Sequence, residues 1–540
     1  MGSTDVLVVG AGPVGLTLAL ALAEQGAACR VVDSSPTPAM VSRATEIHAR
    51  TLELFDVLGV ADEFVAEGHV LGAVQFIARG RPVARLSLRD VDSDFPAKLA
   101  LPQAVTERIL GERLARHGVT VERGAALRGL APEPDGVTAH LATGSGTTSV
   151  RAQWVVGSDG FHSAVRRLLG IPFEGTDYPG LWGALDAQVD GWTYPLDEIP
   201  VFLDGDGFWA MPLPGGWHRL YFRRNGGEEG PTADEAQAVL TRHDVEGRVL
   251  GVRSAGTYRI HFRTAERFSK GRVFLTGDAA HVCSPVLGEG MNTGIQDACN
   301  LAWKLALVTG RRAPVGLADS YDTERRAVDR AAGAASDEGQ SGTTLTDPAA
   351  MHARDLGMAV QFATPAAQAV VTEAQVDLLT NYRHSPIVGS HRARERDGAH
   401  RPAWSGPSPG DRVPDAGPLV RSDGTSIRLR SLMRPARHVL LVLVGEADDD
   451  AVGRCAGMVG RIVEPWGDLV ESHVVVVRDQ APGRIGSCEV VADPELAVHA
   501  RLGAADDTLY LVRPDAYLAF RSEPPDERAF HRYAQRVFLR

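Results

Sequence analysis

The stretch DVLVVGAGPVG, running from Asp5 to Gly15, decides the fold. An apolar run, Val6 to Val9, stops at Gly10 and is followed at once by Gly12, Gly15 and a helical pattern from Leu16 to Gln25. The order is strand, tight turn, helix. Gly10 permits the turn, Gly12 lets the backbone approach a pyrophosphate, and Gly15 lets the helix pack closely on the strand, with the helix N-terminus facing the anion. A second apolar strand, Cys29 to Val32, ends in Asp33, placed to accept hydrogen bonds from an adenosine ribose. The combination predicts a Rossmann-like dinucleotide-binding unit in an α/β protein.

At 540 residues the chain is too long for one ordinary core, so several domains are expected. Its 44% apolar and 23% charged residues are those of a globular protein. The formal charge of −12 argues against nucleic acid or an anionic membrane as partner. Lysine occurs only at Lys98, Lys270 and Lys304, and arginine supplies the remaining positive charge, a bias of a GC-rich genome. The five cysteines, Cys29, Cys283, Cys299, Cys455 and Cys488, form no CxxC pair, which speaks against structural zinc and a redox dithiol. The first strand begins without a signal peptide, and no apolar run approaches a membrane span, so a cytoplasmic location is expected.

Further along, Ile47 to Leu58 and Ala104 to His117 carry helical spacing, while Gln75 to Leu88, Val119 to Arg123, Val137 to Ala142 and Val150 to Val156 read as strands. From about 175 to 270 the texture is short alternating strands. Phe208 to Leu213 and Trp217 to Arg224 flank Pro214-Gly215-Gly216 as a hairpin. Val273 to Thr276 is a buried strand leading into Gly277-Asp278, and long helices follow: Thr293 to Thr309, Tyr321 to Ala335 and roughly Ala350 to Thr380. The expected organisation is a dinucleotide-binding domain over 1–175 that lends part of a sheet near 70–100, a substrate-binding sheet over 176–270, and the continued first domain with long helices over 271–385. A linker over 386–418 and a small α/β domain over 419–540 complete it.

Three elements together resemble the single-component FAD-dependent aromatic hydroxylases of the para-hydroxybenzoate hydroxylase and phenol hydroxylase type. They are Gly10-x-Gly12-x-x-Gly15 with Asp33; GSDGFHSAVRRLLG, carrying Asp159, Gly160, Ser163 and Arg166; and RVFLTGDAAHVCSPVLGEGMNTGIQDACNLAWKL. The region after 400 resembles the thioredoxin-like C-terminal domain of one branch. The resemblance implies a Rossmann-like FAD-binding domain, an inserted β-sheet substrate domain and a thioredoxin-like C-terminal domain. It puts Asp278 on ribityl or pyrophosphate-proximal hydroxyls and Pro285 near the reacting carbon of the flavin. Gly277, Gly288, Gly290, Met291 and Asn292 would present the loop and helix amides to the flavin pyrimidine edge. Arg43 and Gln103 match positions that touch FAD, and Asp159 lies in a loop that meets both FAD and the nicotinamide cofactor, alongside an ordinary helix-capping role. Arg166 reads either as a partner of Asp159 or a phosphate, or as a solvated helix charge.

Nothing else in the chain has the strand–GxGxxG–helix layout, since the GSG of 144–146 lacks a following helix. That disfavours enzymes with a second dinucleotide fold, and the absence of a WxWxIP segment disfavours tryptophan-type halogenases. The implied activity is NAD(P)H- and O2-dependent hydroxylation of a phenolic or polyketide-type aromatic through a flavin C4a-hydroperoxide. Baeyer–Villiger or epoxidising chemistry on a polycyclic product, and a flavin protein that sequesters an intermediate without turnover, are the alternatives. Alternation puts Trp217, Arg219, Tyr221 and Arg223 on one face of the hairpin and His218, Leu220 and Phe222 on the other. His48, Tyr221 and Arg223 are the candidates for contact with substrate, with Glu46 beside His48. Trp182, Trp209 and Tyr221 also suit a core, and His281 reads as structural, away from any second ligand. The C-terminal domain is expected to act structurally, as a homodimer surface or a cover for the pocket.

Overall fold

A computed structural model describes residues 2–38, 44–227, 229–392, 404–445 and 448–539. The chain divides into two compact units. The first comprises residues 1–20, 28–298 and 325–378, and the second 21–27, 299–324 and 379–540. Among the described residues no helix is long and apolar enough to cross a membrane.

The first unit is built on a sheet whose parallel core runs, in spatial order, Val273–Leu275, Gly146–Gly157, Gly2–Val9, Cys29–Asp33 and Val121–Arg123. Its central strands are apolar on both faces, as buried parallel strands are: Val6, Leu7, Val8, Val31, Val155 and Val156 are fully buried. The antiparallel strands Ala126–Glu133 and Gly136–Thr143 extend it from Gly146–Gly157. A second sheet of seven strands includes Leu181–Asp190, Trp217–Arg224, Phe208–Leu213 and Glu198–Phe202, with Ala73–Ala78 and Arg81–Ser87 at one end. One of its faces packs Trp182, Trp209, Met211 and Tyr221 against Ala49, Leu71 and Ala100. The other packs Leu185, Leu220 and Phe222 against Ala236, Val239 and Leu240 of the helix Ala233–Arg242.

That helix interrupts a stretch whose sequence reads as strands throughout. A capping box starts it: the Thr232 hydroxyl accepts from Glu235 N, and the Glu235 carboxylate accepts from Thr232 N. The helical pattern from Ile47 also begins later than its spacing suggests. Glu46–His48 is a strand paired with Lys98–Ala100, and the helix is Ala49–Val57. Residues far apart in sequence supply that ladder, which overrides the local pattern.

The second unit holds a nine-stranded mixed sheet. His438–Val444 pairs in parallel with Val470–Val476 and antiparallel with Thr508–Val512, which pairs antiparallel with Leu518–Glu523. The amphipathic helix Asp449–Val463 joins the first two. Part of 386–418 is built into this sheet, where Gly389–Arg392 pairs in parallel with Phe520–Glu523. Arg513, buried, is pinned between Glu324 and Asp515, and Glu324 also accepts from Lys304.

Candidate functional site

Strand register brings the separated motifs to one edge of the first sheet. Val9 lies opposite Gly157 and Val32, and Gly157 lies opposite Leu275. Gly10, Asp33, Ser158 and Thr276 therefore follow at the carboxyl ends of adjacent parallel strands, where ligands bind in such sheets. The Ser158 and Thr276 hydroxyls meet at 2.7 Å. A Cβ on Gly10 would lie 2.3 Å from Ser158 O, and one on Gly15 would lie 2.0 Å from Gly10 O, so both positions need glycine for the turn itself. Gly12 differs: no atom lies within 4 Å of its Cβ position, leaving an open cradle before the helix Pro13–Glu24. The Asp33 carboxylate accepts from Ala11 N and Ser35 N, each at 2.7 Å, which fixes it beside the cradle with lone pairs to spare.

The N-cap of the helix Ala164–Leu169 is Ser163, while Asp159 Oδ2 accepts from Ala164 N at 2.7 Å and Val165 N at 3.1 Å, two amides of its first turn. Its Oδ1 is buried without a hydrogen-bond partner among the described residues, and burial raises its carboxyl pKa despite the bonds to the helix start. An orphaned buried oxygen at the rim of the cradle fits a ligand hydroxyl or amide. Arg166 is buried rather than solvated, and among the described residues its hydrogen bonds do not go to Asp159. Its guanidinium donates to Ala279 O at 2.7 Å and Phe161 O at 2.6 Å and stacks on Phe173, tying this loop to the Gly277-Asp278 loop.

Gly277 takes a positive φ of 57°, and its amide donates to Asp297 Oδ2 at 2.9 Å. His281 corrects its sequence reading. It is structural, yet it has two carboxylate partners, with Nε2 at 2.8 Å from Asp297 and 3.4 Å from Asp329. Arg325 binds both acids from the other side. Asp278, exposed, follows from this rigid base.

The loop Pro285–Leu287 is a short 3-10 turn capped by Ser284, and Gly288 leaves it with φ 75°. The helix Glu289–Thr309 then begins, so Gly290, Met291 and Asn292 lie in its first turn, where amides lack helical partners. The Asn292 side chain is fully engaged: Nδ2 donates to Glu46 O and Gly288 O, and Oδ1 accepts from His48 N and Thr51 Oγ1. Only its backbone can face a ligand. Gln103 is the first residue of the helix Gln103–Arg116 rather than ahead of it; its Oε1 accepts from Ala44 N at 3.3 Å and its Nε2 donates to Glu107. Arg43 lies outside the described residues.

On the seven-stranded sheet, Tyr221 and Trp209 stack with centroids 4.9 Å apart, and Trp182 continues the row. The Tyr221 hydroxyl meets Thr45 Oγ1 at 3.1 Å, joining the seven-stranded sheet to the strand that carries Glu46 and His48. Arg219 is buried in an ion pair with Asp186, and Arg223 is exposed at the strand end. His48 is fully buried, not a helix-surface group. Lys98 and Asp377, both buried, lie outside the three quoted motifs, and Glu289 and Asp297, buried inside the third, are not singled out within it.

A family profile described as an FAD binding domain matches residues 3–336, and one described as the C-terminal part of aromatic-ring hydroxylases matches 406–540. The chain belongs to the FAD-dependent aromatic-ring hydroxylases. It is 32% identical to 6-methylpretetramide 4-monooxygenase of Streptomyces rimosus over 96% of this chain and 91% of that protein. It is 31% identical to pentachlorophenol 4-monooxygenase of Sphingobium chlorophenolicum, covering 96% and 93%. A crystal structure of aklavinone-11 hydroxylase with FAD and aklavinone superposes with a TM-score of 0.76 at 26% identity, covering 99% of this chain and 100% of that one.

Proposed function

We propose that this hydroxylase uses NAD(P)H and O2 to hydroxylate a phenolic ring of a polyketide-type aromatic. The observation that carries the reading is that Thr45 and Glu46, adjacent in the chain, meet respectively the aromatic sheet face, through the Tyr221 hydroxyl, and the Pro285–Gly288 turn, where a Cβ on Gly288 would come 2.5 Å from Glu46 Oε2. The named relatives act, by their names, on 6-methylpretetramide, pentachlorophenol and aklavinone.

In this reading Gly12 and the start of Pro13–Glu24 receive the pyrophosphate, and Asp33 the ribose. Asp278 takes ribityl hydroxyls, and Arg43 and Gln103 flank the cofactor. The amides of Gly290, Met291 and Asn292 face the pyrimidine edge, where a helix N-terminus favours negative charge by roughly 0.3–2 kcal/mol. Bound FAD would supply the redox chemistry, accepting a hydride and activating O2. The protein's share is to hold the ring against Pro285 and to exclude water, with Tyr221 and Thr45 on the pocket wall and Arg223 at its mouth. Asp159 and its loop would receive the nicotinamide transiently.

We also read the second unit as thioredoxin-like. Its order Val470–Val476, His438–Val444, Thr508–Val512, Leu518–Glu523, with a helix between the parallel pair, supports this. That helix opens on Asp448, Asp449 and Asp450 rather than a cysteine pair, so the unit is structural.

Anaerobic reduction of the bound flavin by NADPH, followed by loss of yellow absorbance with a panel of phenols and polyketide aromatics, tests the function. Acceleration by one ligand class, with hydroxylated product on admitting air, is expected. Failure to bind flavin after reconstitution would sink the reading.

A further inference from the structure

His48 ends the strand Glu46–His48, fully buried, and neither ring nitrogen has a hydrogen-bond partner among the described residues. Nε2 lies 3.8 Å from Glu46 Oε2 and Nδ1 3.6 Å from Asp377 Oδ2, separations of charge pairs rather than hydrogen bonds. Lys98 Nζ donates to Glu46 Oε2 at 2.7 Å and to Leu287 O at 2.9 Å. Glu289, first in its helix and buried, accepts from the Ser336 hydroxyl at 2.6 Å. Asp377 Oδ2 is buried with no hydrogen-bond partner among the described residues. The Pro285–Gly288 loop lies directly on this cluster, since a Cβ on Gly288 would come 2.5 Å from Glu46 Oε2.

Charge balance decides how many protons the cluster holds. Glu46, Asp377 and Glu289, all ionised, would carry three negative charges against two on Lys98 and a protonated His48. A dry site disfavours that excess, so a further proton resides on a carboxyl. Burial, then Asp377, pushes the Glu289 carboxyl up to about 7 against the Ser336 hydrogen bond. Burial would raise Glu46 as well, but Lys98 and His48 outweigh it and bring that group down to about 2. Burial pulls His48 down and Lys98 repels its proton, yet Asp377 and Glu46 leave it raised overall. Cys283, beside Gly290, is held neutral by burial and by Glu289.

We propose that His48 and Glu289 form a buried proton store under the Pro285–Gly288 loop, with Asp377, 3.6 Å from His48 Nδ1, the positioning residue that sets how tightly His48 holds its proton. The proposal rests on the function proposed above. Hydroxylation of a ring ArH by NAD(P)H, H+ and O2 gives ArOH, NAD(P)+ and H2O, so each turnover consumes one proton. Its release from the store leaves either an ionised Glu289 or a neutral His48, to be refilled from solvent.

Histidine C2–H deuterium exchange, read peptide by peptide in the apoprotein across pH, gives the His48 midpoint without flavin. The wild-type midpoint is expected above the ordinary imidazole value of about 6.5. Asp377→Asn keeps the group's shape and removes the charge beside His48 Nδ1, so His48 should bind its proton about tenfold more weakly. Glu289→Gln should act in the same direction and serves if the first variant does not fold. In wild-type holoenzyme the turnover–pH profile should show a step near 7 that Glu289→Gln lacks. A wild-type midpoint at or below 6.5, or one unmoved in both variants, overturns the store. Absence of NAD(P)H-driven hydroxylation in wild type would instead overturn the function, whatever the midpoints.

Discussion

Asp297 holds Gly277 in place: its Oδ2 accepts the Gly277 amide at 2.9 Å while His281 Nε2 and Arg325 Nε grip the same carboxylate at 2.8 and 2.7 Å. The start of the Gly277-Asp278 loop is therefore fixed by buried charge rather than by the loop's own sequence. Asp297→Asn keeps the shape and leaves two cations facing a neutral amide. Loss of about 3–5 kcal/mol of stability is expected on breaking such a buried pair. FAD should bind at least about tenfold more weakly, which is about 1.4 kcal/mol. Flavin titration of the folded fraction, beside denaturant unfolding, separates the two effects. Unchanged FAD affinity would show that the loop does not depend on this anchor.

The same cluster gives a pH dependence. Burial pulls the His281 pKa down, but Asp329 and Asp297 outweigh it and bring it from 6.5 up to about 9. A group that binds its proton more tightly when folded stabilises fully below its unfolded value and loses that contribution as pH rises through its folded value. The melting temperature should therefore fall between pH 6.5 and about 9, and His281→Gln should flatten that fall while lowering the plateau. A variant curve parallel to wild type would contradict the assignment.

What the sequence disclosed and what it hid divide along chain distance. Gly10, Gly12, Gly15 and Asp33 were legible because a turn, a helix start and a strand end are written in adjacent residues. Lys98, Asp377 and Glu289 were not, because each becomes meaningful only through partners on other elements. Ile47 and His48 read as the start of a helix for the same reason, their ladder lying with Lys98–Ala100. The helix Ala233–Arg242 is a different failure, since the Thr232 and Glu235 box was present locally and was outweighed by strands on both sides.

The glycines of the first turn should separate folding from binding. Gly12→Val places its Cβ in open space, so stability should change by no more than about 0.5 kcal/mol, as at a site without a special packing role. The side chain would fill the cradle, and flavin should fail to copurify. Gly15→Ala would put a methyl 2.0 Å from Gly10 O and should cost about 1–3 kcal/mol before any ligand is added. Melting of the two apoproteins, compared with flavin content, checks the contrast. Equal destabilisation would argue that Gly12 serves the fold alone.

Arg513 tests the second unit independently. Its guanidinium reaches Glu324 Oε1 at 2.7 Å and Oε2 at 2.9 Å, and Asp515 Oδ1 at 2.9 Å, all buried. Arg513→Met leaves both acids short of a cation and should cost about 3–5 kcal/mol. Adding Asp515→Leu removes one stranded charge and should recover part of that loss. A double variant as unstable as the sum of the singles would deny the coupling.

Tyr221 bears most directly on the proposed reaction. Tyr221→Phe keeps the ring stacked on Trp209 and removes only the hydroxyl that meets Thr45. A net hydrogen bond of this kind is worth about 0.5–1.5 kcal/mol, so the variant should fold and bind FAD normally. If the Tyr221–Thr45 contact shapes the pocket wall, ring placement loosens and water enters, so NADPH oxidation should continue while more of it ends as hydrogen peroxide. The ratio of hydroxylated product to NADPH consumed, with peroxide measured alongside, is the deciding quantity. A ratio equal to wild type would move Tyr221 from the pocket wall to the core.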